Sequence, residues 1–247
     1  MNETITLLNN RKSVRVFEGD MPEADVQAIL RAAVEAPTAG NMTLWTAIRV
    51  TDENKKQQLA ESCDHQPFIA QAPLVLVFCA DYRRWMQAFE ALQLDEPLRR
   101  PGEGDLMLAA CDAVIAAQSA VVAAESLGYG SCYIGDILEN ADTQREILGL
   151  PAYVKPICMA VFGKATAQQQ QRPKPRRFRV EDVVHENTYR DVGADGMLTM
   201  LANHQQLQGQ ALTDWLTAFC KRKWNCDFSI EMTRSVRQML EEWNKGI

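Results

Sequence analysis

The sequence has no CxxC pair, and its 3 histidines, His65, His185 and His204, lack the short spacing that would hold zinc. No metal site is therefore expected. Nor is a disulfide frame, because the 7 cysteines are odd in number and scattered. They read as buried thiols of a reducing compartment, which makes the cytoplasm the expected location. Positive charge is scarce as well: 26 Lys and Arg against 32 Asp and Glu leave a net charge of −6, which argues against a general nucleic-acid or anionic-membrane binder. The opening "MNETITLLNN" has no basic stretch ahead of an apolar core, so neither a secretory signal nor a transit peptide is expected. No internal repeat is found. An uninterrupted hydrophobic run is missing too. The longest candidate, "DLMLAACDAVIAAQSAVVAAESLG" at 105–128, is broken by Asp105, Asp112, Gln118, Ser119 and Glu125. It predicts a central helix buried on most sides, capped by Asp105 and ended by Gly128, rather than a membrane span. Its alanines permit close helix packing, including against a second copy.

What remains is an ordinary globular composition, 47% hydrophobic and 23% charged over 247 residues, enough to bury a sizeable core. "DMPEADVQAILRAAVEAP" is the clearest helix. Asp20 and Glu23 have capping-box spacing, Val26, Ile29, Leu30, Ala33 and Val34 share a face, and Pro37 stops it. Short apolar runs at 45–50, 73–81, 131–135 and 155–163 read as strands between Pro, Gly and Asp. A helix is expected over 136–148. The stretch "KATAQQQQRPKPRRFR" at 164–179 has basic residues, no acidic one and two prolines, and is expected to run extended. Two amphipathic helices follow, at about 195–220 and 228–245, with Trp215, Trp224 and Trp243 packing them. Trp224 or Phe228 is also a candidate lid over a pocket. The alternation of helix and strand gives an α+β or α/β layout.

Two basic clusters stand out in an acidic chain: "RKSVR" at 11–15 and "RPKPRRFR" at 172–179. In an extended segment Arg11, Ser13 and Arg15 project to one side, two guanidinium forks flanking a hydroxyl, and Lys174 and Arg176 repeat the alternation. Such a set can cradle a phosphate monoester or can be solvated surface charge. The residues alone leave both open.

"RKSVR" and the helix after it, then "APTAGNMTLW", "AESLGYGSCYIG" and "KPRRFRVEDVVHENTY", taken in order and spacing, resemble the flavin-dependent nitroreductase family over nearly the whole chain. The resemblance is strongest to its larger, oxygen-insensitive nitroreductase and flavin reductase group. It implies an α+β fold, a sandwich with a central, mainly antiparallel sheet flanked by helices. It also implies a C-terminal helical extension and an intertwined homodimer with FMN at the subunit interface. The expected division is an FMN-binding core, 1–190, and an extension, 191–247. By the same resemblance Arg11, Lys12, Ser13 and Arg15 bind the cofactor, with Lys174 and Arg176 closing on the same phosphate. Gln66 approaches the flavin and its ribityl chain, and Tyr133, Ile134 and Gly135 lie along the ring. Asn41 is a weaker member, because Thr43 stands where the family often has glutamine; Lys12 stands where arginine is commoner.

The implied activity is two-electron, ping-pong transfer from NADPH or NADH to nitroaromatics, quinones or free flavins, with hydride passing through FMN and no protein nucleophile. The alternatives are another flavin reaction on the same fold, or FMN binding without catalysis. Asp136, where the family has glycine, either places a carboxylate near the cofactor or caps the following helix. His185 is read as a structural hydrogen-bonder and Cys132 as a packed thiol. Lys221, Arg222 and Lys223 are candidate contacts for the extra phosphate of NADPH, or plain surface charge.

Overall fold

A computed structural model describes residues 2–247. Helix α1 (Glu3–Asn10) is followed by the two-residue strand β1 (Phe17–Glu18), α2 (Glu23–Val34) and a 3-10 turn at Ala39–Asn41. Next come β2 (Trp45–Arg49), α3 (Glu53–Ser62), α4 (Phe68–Gln71), β3 (Leu74–Asp81), α5 (Arg83–Glu90) and the long α6 (Glu103–Ser126). Strand β4 (Gly130–Ile134), α7 (Ala141–Leu148) and β5 (Val154–Ala165) complete the sheet. Helices α8 (Ala167–Gln171), α9 (Val180–Val183), α10 (Gly193–Gln205), α11 (Gly209–Lys223) and α12 (Asp227–Lys245) follow.

Strand β5 organises the sheet. It pairs antiparallel with β3 along one edge, and with β4 and then β1 elsewhere, while β2 lies outside β3. Every residue of β3 is buried, so its alternating side chains feed two cores. Leu74, Leu76 and Phe78 pack with α2 and the alanines of α6. Val75, Val77 and Cys79 pack with Leu59 and Ala60 of α3 and Ile69 of α4. The result is helices on both faces of a mostly antiparallel sheet, the expected fold class. Backbone contacts divide the chain into two compact units, residues 1–172 with 231–247, and residues 173–230. Within the second, Trp215 stacks on Phe219, and Phe178 on His204 with ring centroids 4.4 Å apart.

Helix α6 is long and apolar enough to cross a membrane by length and composition alone. Here it is the central core helix, with Ala109, Ala113, Ala116, Ala117, Ala120 and Ala124 completely buried. Its opposite face is apolar and uncovered: Met107 is 65% exposed, and Leu108, Cys111, Val114 and Ile115 are exposed beside it.

Several local expectations need correction. Asp20 caps nothing; Pro22 holds the N-cap of α2, its fixed φ already suited to a helix start, and Glu23 grips Arg49 through two hydrogen bonds of 2.7 and 2.8 Å. Gly102, not Asp105, is the N-cap of α6. Asp105 sits in the first turn, accepts from Gly102 N at 2.8 Å, and is held at a pKa of about 2, chiefly by Arg99. The 164–179 segment contains α8, because Thr166 caps it before the prolines at 173 and 175 act. Residues 195–220 are split into α10 and α11 by Gln206, whose φ of 56° is left-handed and ends the first helix. Trp243 packs the core, not the extension. It is completely buried, edge-on to Tyr82 and Tyr153, and donates from Nε1 to Gly102 O at 3.0 Å. Trp224 is 77% exposed and packs little.

Candidate functional site

Helix α1 ends when Arg11 N closes on Leu7 O, after which the backbone turns extended at ψ 135°. The segment then runs beside β4. Ser13 forms a parallel bridge with Ser131, and Val14 N donates to Ser131 O at 2.9 Å. Val14 turns inward, where a Cβ on Gly130 would collide with it, so β4 can lie this close only because residue 130 is glycine. Arg11, Ser13 and Arg15 therefore alternate with buried Val14. The Arg11 guanidinium lies 5.9 Å over the Tyr133 ring, and that of Arg15 lies 6.0 Å over Phe68. Arg11 Nη2 donates to Ser131 Oγ at 3.4 Å, while Arg11 Nε is buried with no hydrogen bond.

Gln66 is two residues before Phe68, its Nε2 donating to Cys63 O at 2.8 Å. Tyr133 donates to Gln118 Oε1 at 3.2 Å, and burial pushes its phenol above the ordinary value, so it stays protonated. Ile134 is buried, whereas Gly135 is exposed at the end of β4. Burial raises the Cys132 thiol, opposed by Arg15, Ser13 and Arg11, which places that thiol beside the same segment. Lys12 points elsewhere: its ammonium holds the C-terminal carbonyls of α8, donating to Gln170 O at 2.6 Å and to Arg172 O. Gln169 Oε1 adds a bond from Arg15 N at 3.2 Å.

Asn41 lies apart. It ends the 3-10 turn with a left-handed φ of 57°, and Thr43 follows at 51°. This strained loop is held by Asp112 of α6, which accepts from Thr38 Oγ1, from Ala39 N at 3.0 Å and from Leu44 N at 3.3 Å. Arg11, by contrast, sits near Glu125 on the last turn of α6. At about 1.5 Å rise per residue, Asp112 to Glu125 spans about 20 Å. Lys174 and Arg176 belong to the second unit, where Arg176 lines a cavity of about 380 Å³ with Asn203 and His204. His185 is a structural acceptor there, taking a bond from Arg190 N at 3.0 Å.

Asp136 caps no long helix. It opens a 3-10 turn, Asp136–Leu138, and α7 starts only at Ala141 after a left-handed Asn140. It belongs to an acidic group: Glu139 is pushed up to about 7 by burial and then by Asp136, Asp64 and Glu231. Among the described residues no cluster of three or more His, Cys, Asp or Glu could hold a metal ion.

A family model described as the nitroreductase family matches residues 8–164, more than half of the chain and all of the site in the first unit. The chain belongs to the nitroreductase family. This nitroreductase-family chain is 32% identical over 248 aligned positions to FMN reductase [NAD(P)H] of Bacillus subtilis, covering 98% of this chain and 97% of that protein. It is 35% identical over 191 positions to the oxygen-insensitive NADPH nitroreductase of Salmonella typhimurium, covering 76% and 75%. Its fold matches the NADPH:FMN oxidoreductase from Vibrio harveyi, solved in complex with NAD+, with a TM-score of 0.72 at 28% identity over 87% and 92% of the two chains. Glu125, Ser131, Phe68 and Asp112 were invisible as site neighbours in the sequence, since each is an ordinary residue of its element until the fold sets it beside the basic segment or the Asn41 loop.

Proposed function

We propose that this chain is an FMN-dependent NAD(P)H oxidoreductase that reduces nitroaromatics, quinones or free flavins, and that it acts as a homodimer in the cytoplasm. One observation carries the cofactor assignment: Arg11, with a buried Nε that makes no hydrogen bond, lies in an extended segment with Ser13 and Arg15 beside Tyr133. A buried guanidinium nitrogen without an acceptor is costly, and an anion with several oxygens suits it. The residues fit FMN. Arg11, Ser13 and Arg15 would hold its phosphate. Tyr133 and Ile134 would back its ring, Gly135 would admit close backbone approach, and Gln66 would serve the ribityl side. Bound FMN supplies two-electron hydride exchange between a reduced nicotinamide and an acceptor.

The chain's own residues set the conditions. The two guanidinium groups would neutralise the phosphate, the protonated Tyr133 phenol keeps an uncharged wall, and buried Ile134 fixes the strand end. Lys12 anchors α8 against the cradle. Seven free cysteines suit a reducing compartment.

The homodimer rests on the apolar face of α6 and on the separation of Asn41 from Arg11. Two copies of α6 packed antiparallel about a two-fold axis near Gln118 and Ser119 would cover Val114 and Ile115 and would set Asp112 of one helix beside Glu125 of the other. The Asn41 loop of each protomer would then approach the cradle of its partner.

An absorbance experiment tests the activity. Protein loaded with FMN is reduced with NADPH or NADH without oxygen, freed of nicotinamide, and mixed with a quinone or nitrofuran. Bleaching of the flavin band by the nicotinamide and its return with the acceptor are expected. A flavin band that no nicotinamide bleaches would leave only a flavin-binding protein.

A further inference from the structure

Glu125 sits on the last turn of α6. Its Oε1 accepts from Ser131 Oγ at 3.3 Å and faces Arg11 Nε at 4.0 Å. Ser131 Oγ in turn accepts from Arg11 Nη2 at 3.4 Å. A hydroxyl has one proton, so these contacts have one direction: Arg11 donates to Ser131, and Ser131 donates to Glu125. Ser131 is completely buried, and the side chains of Arg11 and Glu125 are 18% and 17% exposed. Arg11 and Glu125 border a cavity of about 430 Å³ that Leu7 and Asn10 of α1 also line, with Ser131 behind them.

The contacts are long for charge-assisted bonds, which run at about 2.7–2.9 Å. The guanidinium is therefore steered without being consumed. A tight bidentate pair, such as Glu23 with Arg49 in this same chain, would leave few donors for a ligand. We propose that Glu125 is a positioning residue for the anion cradle: through Ser131, and by facing Arg11 Nε, it holds the Arg11 guanidinium over Tyr133 with its other donors free for the flavin phosphate. This rests on the FMN reading above. Two effects of the carboxylate oppose one another, since it orients Arg11 but also repels a phosphate. Orientation acts through direct contacts, and repulsion acts at longer range past an intervening cation, so orientation is expected to win.

FMN affinity of the apoprotein, read by quenching of flavin fluorescence, separates the possibilities. Glu125→Ala should weaken FMN about tenfold, as for loss of one such bond. Glu125→Gln, whose amide oxygen can still accept from Ser131, should stay within about threefold, and Ser131→Ala should follow Glu125→Ala. In an Arg11→Ala background the Glu125→Ala effect should vanish, because the two act as one unit. Tighter binding in both Glu125 variants would show that the residue is only a repelling charge. Unchanged affinity with a lowered melting temperature would show a purely structural role, and an effect that persists without Arg11 would place its action elsewhere. Each of these three overturns the proposal. Should Glu125→Ala not fold, Ser131→Ala and the cycle of Glu125→Gln with Arg11→Ala decide it on the same criteria. If Arg11→Ala itself leaves FMN affinity unchanged, the cradle fails together with this inference. If Arg11→Ala weakens binding but Glu125→Ala and Ser131→Ala do not, only the inference fails.

Discussion

The middle and the C-terminal turn of α6 use a carboxylate in opposite ways. Asp112, only 3% exposed, is saturated by Thr38, Ala39 and Leu44, and it fixes a loop whose backbone is left-handed at Asn41 and Thr43. Glu125 has only two long contacts, and the arginine it faces keeps a buried nitrogen without a hydrogen bond. Burial pushes the Glu125 carboxyl above its ordinary value, and Arg11 and Ser131 work against that rise. A saturated buried carboxylate shapes backbone, whereas an unsaturated one beside an arginine orients that arginine and leaves its other donors open.

That contrast can be broken in order of effect. Replacing Arg11 and Arg15 together with Ala should weaken FMN about 1000-fold, about 4 kcal/mol for two charge-assisted contacts, and leave the apoprotein melting temperature nearly unchanged. Equal loss of stability and of affinity would mean the arginines are structural, like Asp112. In the middle of α6, Asp112→Ala should cost about 3 kcal/mol of stability, because Ala39 N and Leu44 N lose their acceptor in a buried site. Asp112→Asn, which keeps one acceptor oxygen, should cost about 1 kcal/mol, and thermal melts distinguish the two. A smaller effect belongs to Glu139. Its folded pKa of about 7 lies above the ordinary 4.5, raised by burial and by Asp136, Asp64 and Glu231, the last of which is paired with Arg234. The fold therefore favours its protonated form, and that stability, complete below about 4.5, is lost as pH rises through about 7. Glu139→Gln should raise stability at pH 8 by about 1 kcal/mol, about 2–4 °C in Tm, with almost no gain near pH 4.5. A gain equal at both pH values would place the cause outside its titration.

Much of the fold was legible in the sequence because it rests on local signals. The four long strands and α6 lie within a residue or two of their apolar runs, bounded by Pro, Gly and Asp. The errors fall where local signals compete. Asp20, Asp105 and Asp136 all have capping chemistry, yet Pro22, Gly102 and Asn140 hold the N-caps. Gln206 breaks a helix that periodicity continues, since a left-handed residue other than Gly or Asn leaves no compositional mark. Trp243 reaches the core only through tertiary packing. At the site, the alternation of Arg11, Ser13 and Arg15 was readable. The commitment of Lys12 to α8 and the facing of Arg11 by Glu125 depend on contacts between residues distant in sequence. One chain also separates Asn41 from the cradle by about half the length of α6, which no spacing rule reveals.

In the proposed homodimer the cofactor site needs both the Asp112 and the Glu125 regions of α6, supplied by two copies. The direct test is to place a charge on the apolar face with Ile115→Asp and to measure sedimentation and FMN affinity together. Ile115 is exposed in the single chain, so the variant should fold. The account predicts a monomer with wild-type helical content whose FMN binding is weakened at least tenfold, about 1.4 kcal/mol. A folded monomer that binds FMN as tightly as the unmodified protein would contradict it.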